Sequence, residues 1–411
     1  MNSAPDIARV NRARWGLRVT FFFMGMAVAA TSARFAEIKS QTHASDTAFG
    51  LSIMLGNIGA IVGNLYGRRI ATFMGTRTMA KVVLFGVGAS QIAYGFANHL
   101  WQLPIIAFAA GMTYSLANVA CNTQGSMIQE YTGRSLMPSF HGAWSIGALT
   151  ASLIAGSVAK FLTPAVHISI NIALAMVGIV AINNALLPKS VDDLDTKKNA
   201  AVQNDAPIPQ NIKNFLYLVS LGSLLATIGE VSVGDWSSIL LKEDLHVGIG
   251  FNTLGYSAFV IAQVIGRFSV GRIIDKVGIP KVIRIGGLVG GAGYAAGLII
   301  SHLVVHHSKW DALIVMCIAY AILGFGVSPM PPSYVSVAGS IPGVPTARAL
   351  SRMAVTAAAG FFIGRGLVSL LAGWIGLPLA LLVPAFALMG SGLLAHTLHL
   401  DRITQESTGE K

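Results

Sequence analysis

The sequence contains 411 residues, of which 54% are hydrophobic and only 11% are charged. Soluble domains carry about a quarter charged residues, so this composition excludes an ordinary soluble enzyme and a disordered chain. Two cysteines are too few for a disulfide scaffold. The net charge of +11 comes from basic residues scattered between long apolar segments. That distribution argues against nucleic-acid binding and is typical of a polytopic membrane protein.

The apolar segments are long enough to cross a bilayer as helices, since a spanning helix needs about 20 apolar residues. They do not alternate between apolar and polar residues, which excludes the strands of a membrane β-barrel. The sequence therefore predicts an all-α polytopic membrane protein with twelve transmembrane helices. The predicted spans are 15–37, 48–68, 78–98, 101–128, 138–160, 166–187, 215–240, 251–274, 281–302, 311–337, 347–373 and 376–398.

One long polar stretch, residues 188–214, interrupts this pattern midway along the chain. It contains acidic and basic residues in equal number, which indicates a hydrophilic cytoplasmic linker. The predicted organisation is therefore an N-terminal six-helix bundle over 1–187, the linker over 188–214, and a C-terminal six-helix bundle over 215–411.

The basic residues predict an orientation. If the N-terminus is cytoplasmic, the outer connections hold few of them, namely Arg34, Lys39, Lys160, Lys242 and Lys309. Nearly all the others fall on the inner side, so both termini are predicted to be cytoplasmic. The alternative for the first segment is a cleaved secretory signal, because an apolar run over 19–30 precedes small residues at 30–33. Cleavage would leave eleven spans.

The two halves of the chain repeat each other. Residues 63–75 align without gaps with 266–278, and residues 111–147 align in the same way with 324–360. Parallel repeats of this kind imply two halves related by an axis along the membrane normal, with a binding site near the midplane.

The segment 271–281, GRIIDKVGIPK, resembles the cytoplasmic loop motif of the major facilitator superfamily, G-x-x-x-D-R-x-G-x-[RK]-[RK]. Within that superfamily, residues 137–142 and 230–236 resemble bacterial inner-membrane facilitators near the fucose-permease-like branch. The resemblance implies the major facilitator fold. It also implies transport across the bacterial inner membrane by a monomer that needs no cofactor and is not an enzyme.

The resemblance further implies that the loop motif latches the cytoplasmic gate. The alternative is that its charges only hold the orientation of the chain. In the first half Thr72 stands where Asp275 stands in the second, so the latch is expected to depend on the second copy. The predicted gating residues of the motif are Arg69, Gly271, Arg272, Asp275, Lys276 and Gly278.

Span ten contains Pro329 and Pro331, which remove backbone donors and break a helix. Irregular backbone at this depth is tolerated where protein or a water-filled cavity satisfies it. The sequence therefore predicts a broken helix with a gate or hinge role, or alternatively a simple packing kink.

Ionisable residues inside a span cost about 2.5–3.5 kcal/mol each on insertion scales, so each needs a partner or a function. Glu230 in span seven and Arg365 in span eleven lie at similar predicted depth. They are predicted to form a pair that couples protons or binds a substrate carboxylate, or alternatively a static bridge. Asp235 lies farther out, where an interfacial or helix-end role is expected.

Polar side chains in other spans are candidates for cavity lining. Tyr114, Asn118 and Asn122 in span four, and Gln263 in span eight, would suit a hydroxylated solute, or would alternatively join neighbouring helices. His141 begins span five, where it would pass a proton or serve as a hydrogen-bonded packing residue.

The sequence contains no nucleotide-binding loop and no metal-ligand spacing. The predicted function is secondary active transport of a small polar organic solute by alternating access, coupled to protons. The alternatives are a proton-driven exporter of amphiphilic compounds and a non-transporting sensor on a facilitator scaffold. The predicted partners are the solute, protons and the lipid bilayer.

Overall fold

The computed structural model of the chain describes residues 6–133, 136–190, 209–341, 344 and 346–398. The central part of the predicted linker, 191–208, lies outside the described residues, so the predicted boundaries at 188 and 214 stay a prediction. Every element in the described part is helical. This confirms an all-helical protein.

The contacts divide the chain into two compact units, and the first comprises Met1–Gln203 and Ile249–Thr253. A bend of 45° between α1 and α2 divides the first predicted span. The helices of this unit are α1 (Ile7–Ser32), α2 (Phe35–Gln41), α3 (Asp46–Met74), α4 (Thr76–Gly95), α5 (Gln102–Thr132), α6 (Met137–Val158) and α7 (Pro164–Ile182).

The second unit comprises Asn204–Gly248 and Leu254–Lys411. Its first helix ends in a π-helical turn, Leu240–Asp244. The helices are α8 (Gln210–Ile239), α9 (Leu254–Val277), α10 (Ile279–Val304), α11 (Lys309–Val327), α12 (Met330–Gly339), α13 (Thr346–Ile375), α14 (Leu377–Ala380) and α15 (Leu382–Leu394).

The lengths and compositions of the observed helices identify fewer candidate spans than the twelve that the sequence predicts. Among the described residues, eight helices are long and apolar enough to cross a membrane, or up to nine if α1 and α2 form one span. The three other predicted spans, at 78–98, 138–160 and 166–187, coincide with α4, α6 and α7. In α7 the apolar segment is Pro164–Val180, which is too short to be counted as a candidate span.

The aligned loop segments turn in the same way in both units. Gly75 separates α3 from α4 with φ 80° and ψ 147°, and Gly278 separates α9 from α10 with φ 80° and ψ 157°. These positive φ values are open to glycine at little cost and strained for most other residues. The same backbone conformation therefore favours glycine at both of these aligned positions.

Aligned glycines also pack in equivalent ways. A Cβ on Gly111 would strike the backbone of Gly56, which brings α5 against α3. A Cβ on Gly324 would strike the backbone carbonyl of Phe259, which brings α11 against α9. Small residues let helix backbones approach closely, and in membranes van der Waals packing drives helix association. Each unit is built on the same close helix contact.

The Gly111→Ala substitution is expected to destabilise the protein, because the added methyl group forces α3 and α5 apart. Overpacking of this kind costs about 1–3 kcal/mol. The midpoint of thermal unfolding in detergent should fall. In Gly271→Ala the added Cβ has no neighbour within 4 Å, so its midpoint should hold or rise. Equal midpoints for the two variants would contradict the close contact.

Candidate functional site

Helix α8 carries two acidic side chains in the middle of a span. Glu230 and Asp235 are five residues apart, so they point in directions about 140° apart around the helix. Each therefore meets a different neighbour. In the second unit α8 packs against α9 on one side and against α13 on another.

Asp235 faces α13 and forms a two-pronged ion pair with Arg365. Nε of Arg365 lies 2.6 Å from Oδ2 of Asp235, and Nη2 lies 3.1 Å from Oδ1. The Asp235 side chain is only 4% exposed. Two parallel N–H···O bonds give both energy and a fixed geometry. The pair thus ties α8 to α13 through buried charge.

The predicted Glu230–Arg365 pair is therefore wrong, because Arg365 is bonded to Asp235. The prediction compared depth along the helix axes but not direction around them, and Asp235 is the acid that faces α13. The expectation that Asp235 sits near the outer water also differs from the structure, since the residue is 3% exposed and held by Arg365.

Glu230 faces α9 instead. Its Oε1 accepts a hydrogen bond from Nε2 of Gln263 at 2.7 Å and lies 3.5 Å from Nη2 of Arg267. The Glu230 side chain is 30% exposed and that of Arg267 is 27% exposed. In this group, Glu230 with Gln263 and Arg267, both charged side chains are partly exposed, whereas in the Asp235–Arg365 pair the carboxylate is buried and the guanidinium is 22% exposed.

Arg267 is a site residue that sequence reasoning missed. It was counted among the basic residues that orient the chain. Its position four residues after Gln263 on α9 was the available signal, because residues at that spacing lie on one helix face. The structure brings both to the same carboxylate oxygen.

The polar residues of span four lie on α5, in the first unit. Asn118 donates through Nδ2 to the backbone oxygen of Tyr114 at 3.2 Å, a local contact within α5. Oδ1 of Asn122 is buried and has no hydrogen-bond partner in the described part of the chain. His141 lies in the first turn of α6, with its ring 5.2 Å from that of Phe21.

The predicted gating residues lie where the repeat places them. Arg69 is exposed near the end of α3, and the residues Gly271, Arg272, Asp275, Lys276 and Gly278 are exposed at the end of α9. The helix of span ten stops at Val327 and resumes at Met330, with Pro329 before the new first turn and Pro331 within it. The gate and hinge roles stay predictions.

A second group of buried charges, in the first unit, was also missed. Arg34, between α1 and α2, is 1% exposed, and its Nη2 donates to the backbone oxygen of Leu162 at 2.8 Å. Its Nε lies 3.3 Å from Oε1 of Glu37. Arg34 was predicted only as a charge of an outer connection, although the spacing to Glu37 was a signal for an ion pair.

A family model described as Major Facilitator Superfamily matches residues 17–344 and 219–410. Among curated proteins, the uncharacterised transporter y4wD of Sinorhizobium fredii is 25% identical over 359 residues, covering 87% of this chain and 90% of its own length. The membrane protein MosC of Rhizobium meliloti is 23% identical over 364 residues, covering 88% of this chain and 84% of its own length.

Solved structures share the fold at low identity. A mutant form of the nucleoside transporter NupG aligns with a TM-score of 0.72 and 12% identity over 94% of this chain and 99% of its own. A D-xylose–proton symporter aligns with a TM-score of 0.69 and 16% identity over 94% of this chain and 97% of its own.

The two carboxylates of α8 are expected to differ in their effect on stability. Asp235→Asn removes the buried carboxylate that holds Arg365, whose side chain is 22% exposed, so the cost should lie between the about 0–1 kcal/mol of a surface pair and the about 3–5 kcal/mol of a fully buried one. Glu230→Gln removes an accessible ion pair worth about 0–1 kcal/mol. Thermal unfolding in detergent measures both. The double variant Asp235→Asn with Arg365→Gln should recover part of the loss, and equal losses for the two single variants would refute the assignment.

Proposed function

The chain belongs to the major facilitator superfamily, so it is a secondary transporter and not an enzyme, and we propose that it moves a small polar organic solute by alternating access coupled to protons. The family match over most of the chain supports transport itself. NupG is a nucleoside transporter and the other protein is a xylose–proton symporter. Their similarity to this chain concerns the fold, so their substrates are not assigned to it.

The observation that carries proton coupling is the accessible group of Glu230, Gln263 and Arg267. A carboxylate in a spanning helix is costly and is a functional site by default. When Glu230 takes a proton, its charge disappears and its ion pair with Arg267 is lost. The change in charge at this group is the event that would couple proton uptake to movement of the solute. Asp235 and Arg365 hold each other and so keep α8 and α13 in register.

Amide side chains support a hydroxylated or otherwise polar solute. Gln263 is buried next to Glu230, and the buried Oδ1 of Asn122 lacks a donor in the described residues. Buried polar groups normally have hydrogen-bond partners, so an unmet acceptor favours a ligand or water. We also propose that the chain is related to the fucose-permease-like branch of the superfamily. This rests on the resemblance of residues 137–142 and 230–236 alone.

The Glu230→Gln variant tests the coupling. Purified protein in proteoliposomes is given a panel of labelled solutes, with and without an imposed pH gradient. The variant should lose accumulation driven by the gradient and keep exchange of solute across the membrane, because the site is intact but can no longer change charge.

A matched control is Glu243→Gln, which makes the same change at an exposed residue after α8. This control should transport as the unaltered protein does. Full gradient-driven accumulation by Glu230→Gln would contradict the coupling role. If the unaltered protein transports no member of a broad panel in either direction, the transport proposal itself fails.

We also propose that the protein lies in the bacterial inner membrane with both termini in the cytoplasm. Single cysteines at His306 and Lys189, both exposed, test this in a background where Cys121 and Cys317 are replaced by serine. In intact spheroplasts an impermeant maleimide should label His306→Cys, whereas Lys189→Cys should be labelled only after lysis. The reverse pattern would overturn the orientation.

A further inference from the structure

The predicted cytoplasmic end of α3 and the start of α4 form a basic surface that the proposed function does not use. It carries Arg68, Arg69, Arg77 and Lys81. Residues 47–129, which include nearly all of both helices, contain no Asp or Glu at all. The aligned loop of the second unit has Asp275 among its cations, whereas this one has Thr72. Neither the end of α3 nor any part of α4 therefore carries an acid of its own at this surface.

The contacts of this surface leave its charge in place. Nη2 of Arg77 donates to Oδ1 of Asn184 at 2.6 Å, and Nζ of Lys81 donates to the same oxygen at 3.3 Å. A neutral amide oxygen accepts hydrogen bonds from a cation but does not cancel its charge. Arg68 and Arg69 are exposed, and within the described ranges neither makes an ion pair.

The two arginines share one face of α3 with apolar side chains. Leu65 is 73% exposed and Phe73 is 82% exposed, so this helix end leaves large apolar groups uncovered. Positions three, four, seven and eight apart lie on one side of a helix. With their neighbours they form an open patch on one side of α3, which consists of Leu65, Tyr66, Arg68, Arg69, Thr72 and Phe73.

We propose that this patch binds the headgroup of an anionic phospholipid in the leaflet where α3 ends. Arg68 and Arg69 hold the phosphate, as guanidinium groups do through paired N–H donors. Tyr66, Phe73 and Leu65 pack against the glycerol and the first methylenes of the acyl chains. Thr72, whose hydroxyl donates to the backbone oxygen of Arg68 at 2.9 Å, places a neutral side chain where an acid would repel the phosphate.

A lipid fits this surface better than a free anion. A soluble phosphate would satisfy the arginines and leave Leu65 and Phe73 facing water. An anionic lipid supplies negative charge and apolar surface side by side, at the depth where aromatic residues are enriched in membrane proteins. Clusters of basic residues next to a span are attracted to anionic headgroups.

Native mass spectrometry of the purified full-length protein tests this proposal. The protein in detergent is titrated with phosphatidylglycerol or with phosphatidylcholine of the same acyl chains. Phosphatidylglycerol should be retained more strongly. The double variant Arg68→Gln with Arg69→Gln should weaken its binding by about fivefold for each arginine lost. Thr72→Asp should also weaken it, because the added acid repels the phosphate.

The matched control is Lys281→Gln with Arg284→Gln, which removes two exposed cations from the second unit. Its lipid binding should match that of the unaltered protein. Equal losses in the two double variants would mean general attraction and would overturn the site. Displacement of the lipid by soluble glycerol phosphate at equal concentration would also overturn it, since the acyl contacts would then add nothing. If the arginine variant does not fold, Thr72→Asp and Phe73→Ser test the same site. Both should weaken the binding of phosphatidylglycerol, and unchanged binding in both would overturn the proposal.

Discussion

A charged side chain inside a bilayer needs a partner within the protein, because the hydrocarbon cannot hydrate the charge as water does. The second unit meets this constraint twice on one helix. Asp235 is buried and pairs with Arg365 between α8 and α13, whereas Glu230 is partly exposed and pairs with Arg267 on α9. The two acids of one helix therefore differ in their exposure and in the helix to which each connects α8.

Glycine sets close helix contacts in both units. In each unit an aligned glycine brings two helix backbones into direct contact, Gly111 on α5 and Gly324 on α11. Small residues at such contacts let the backbones approach closely. In the second unit this contact places α11 against α9, the helix that carries Gln263 and Arg267.

The sequence sufficed for the all-helical class and for the break at Pro329, because both depend on local composition. It did not suffice for the partner of Arg365. Depth along a helix follows from counting residues, but direction around it depends on which neighbour packs where, and that is a property of the assembled unit. Arg267 was overlooked for a related reason, since a basic residue near the end of a span has an ordinary explanation as an orienting charge. Arg34 was likewise assigned to solvent, although the structure buries it.

Helix α9 runs without interruption from Leu254 to Val277. It contacts the Glu230 carboxylate through Gln263 and Arg267, and eight residues beyond Arg267, about 12 Å along the axis, it carries Asp275. Because α9 is continuous between these residues, a tilt of the helix at Gln263 and Arg267 would also displace Asp275 at its end.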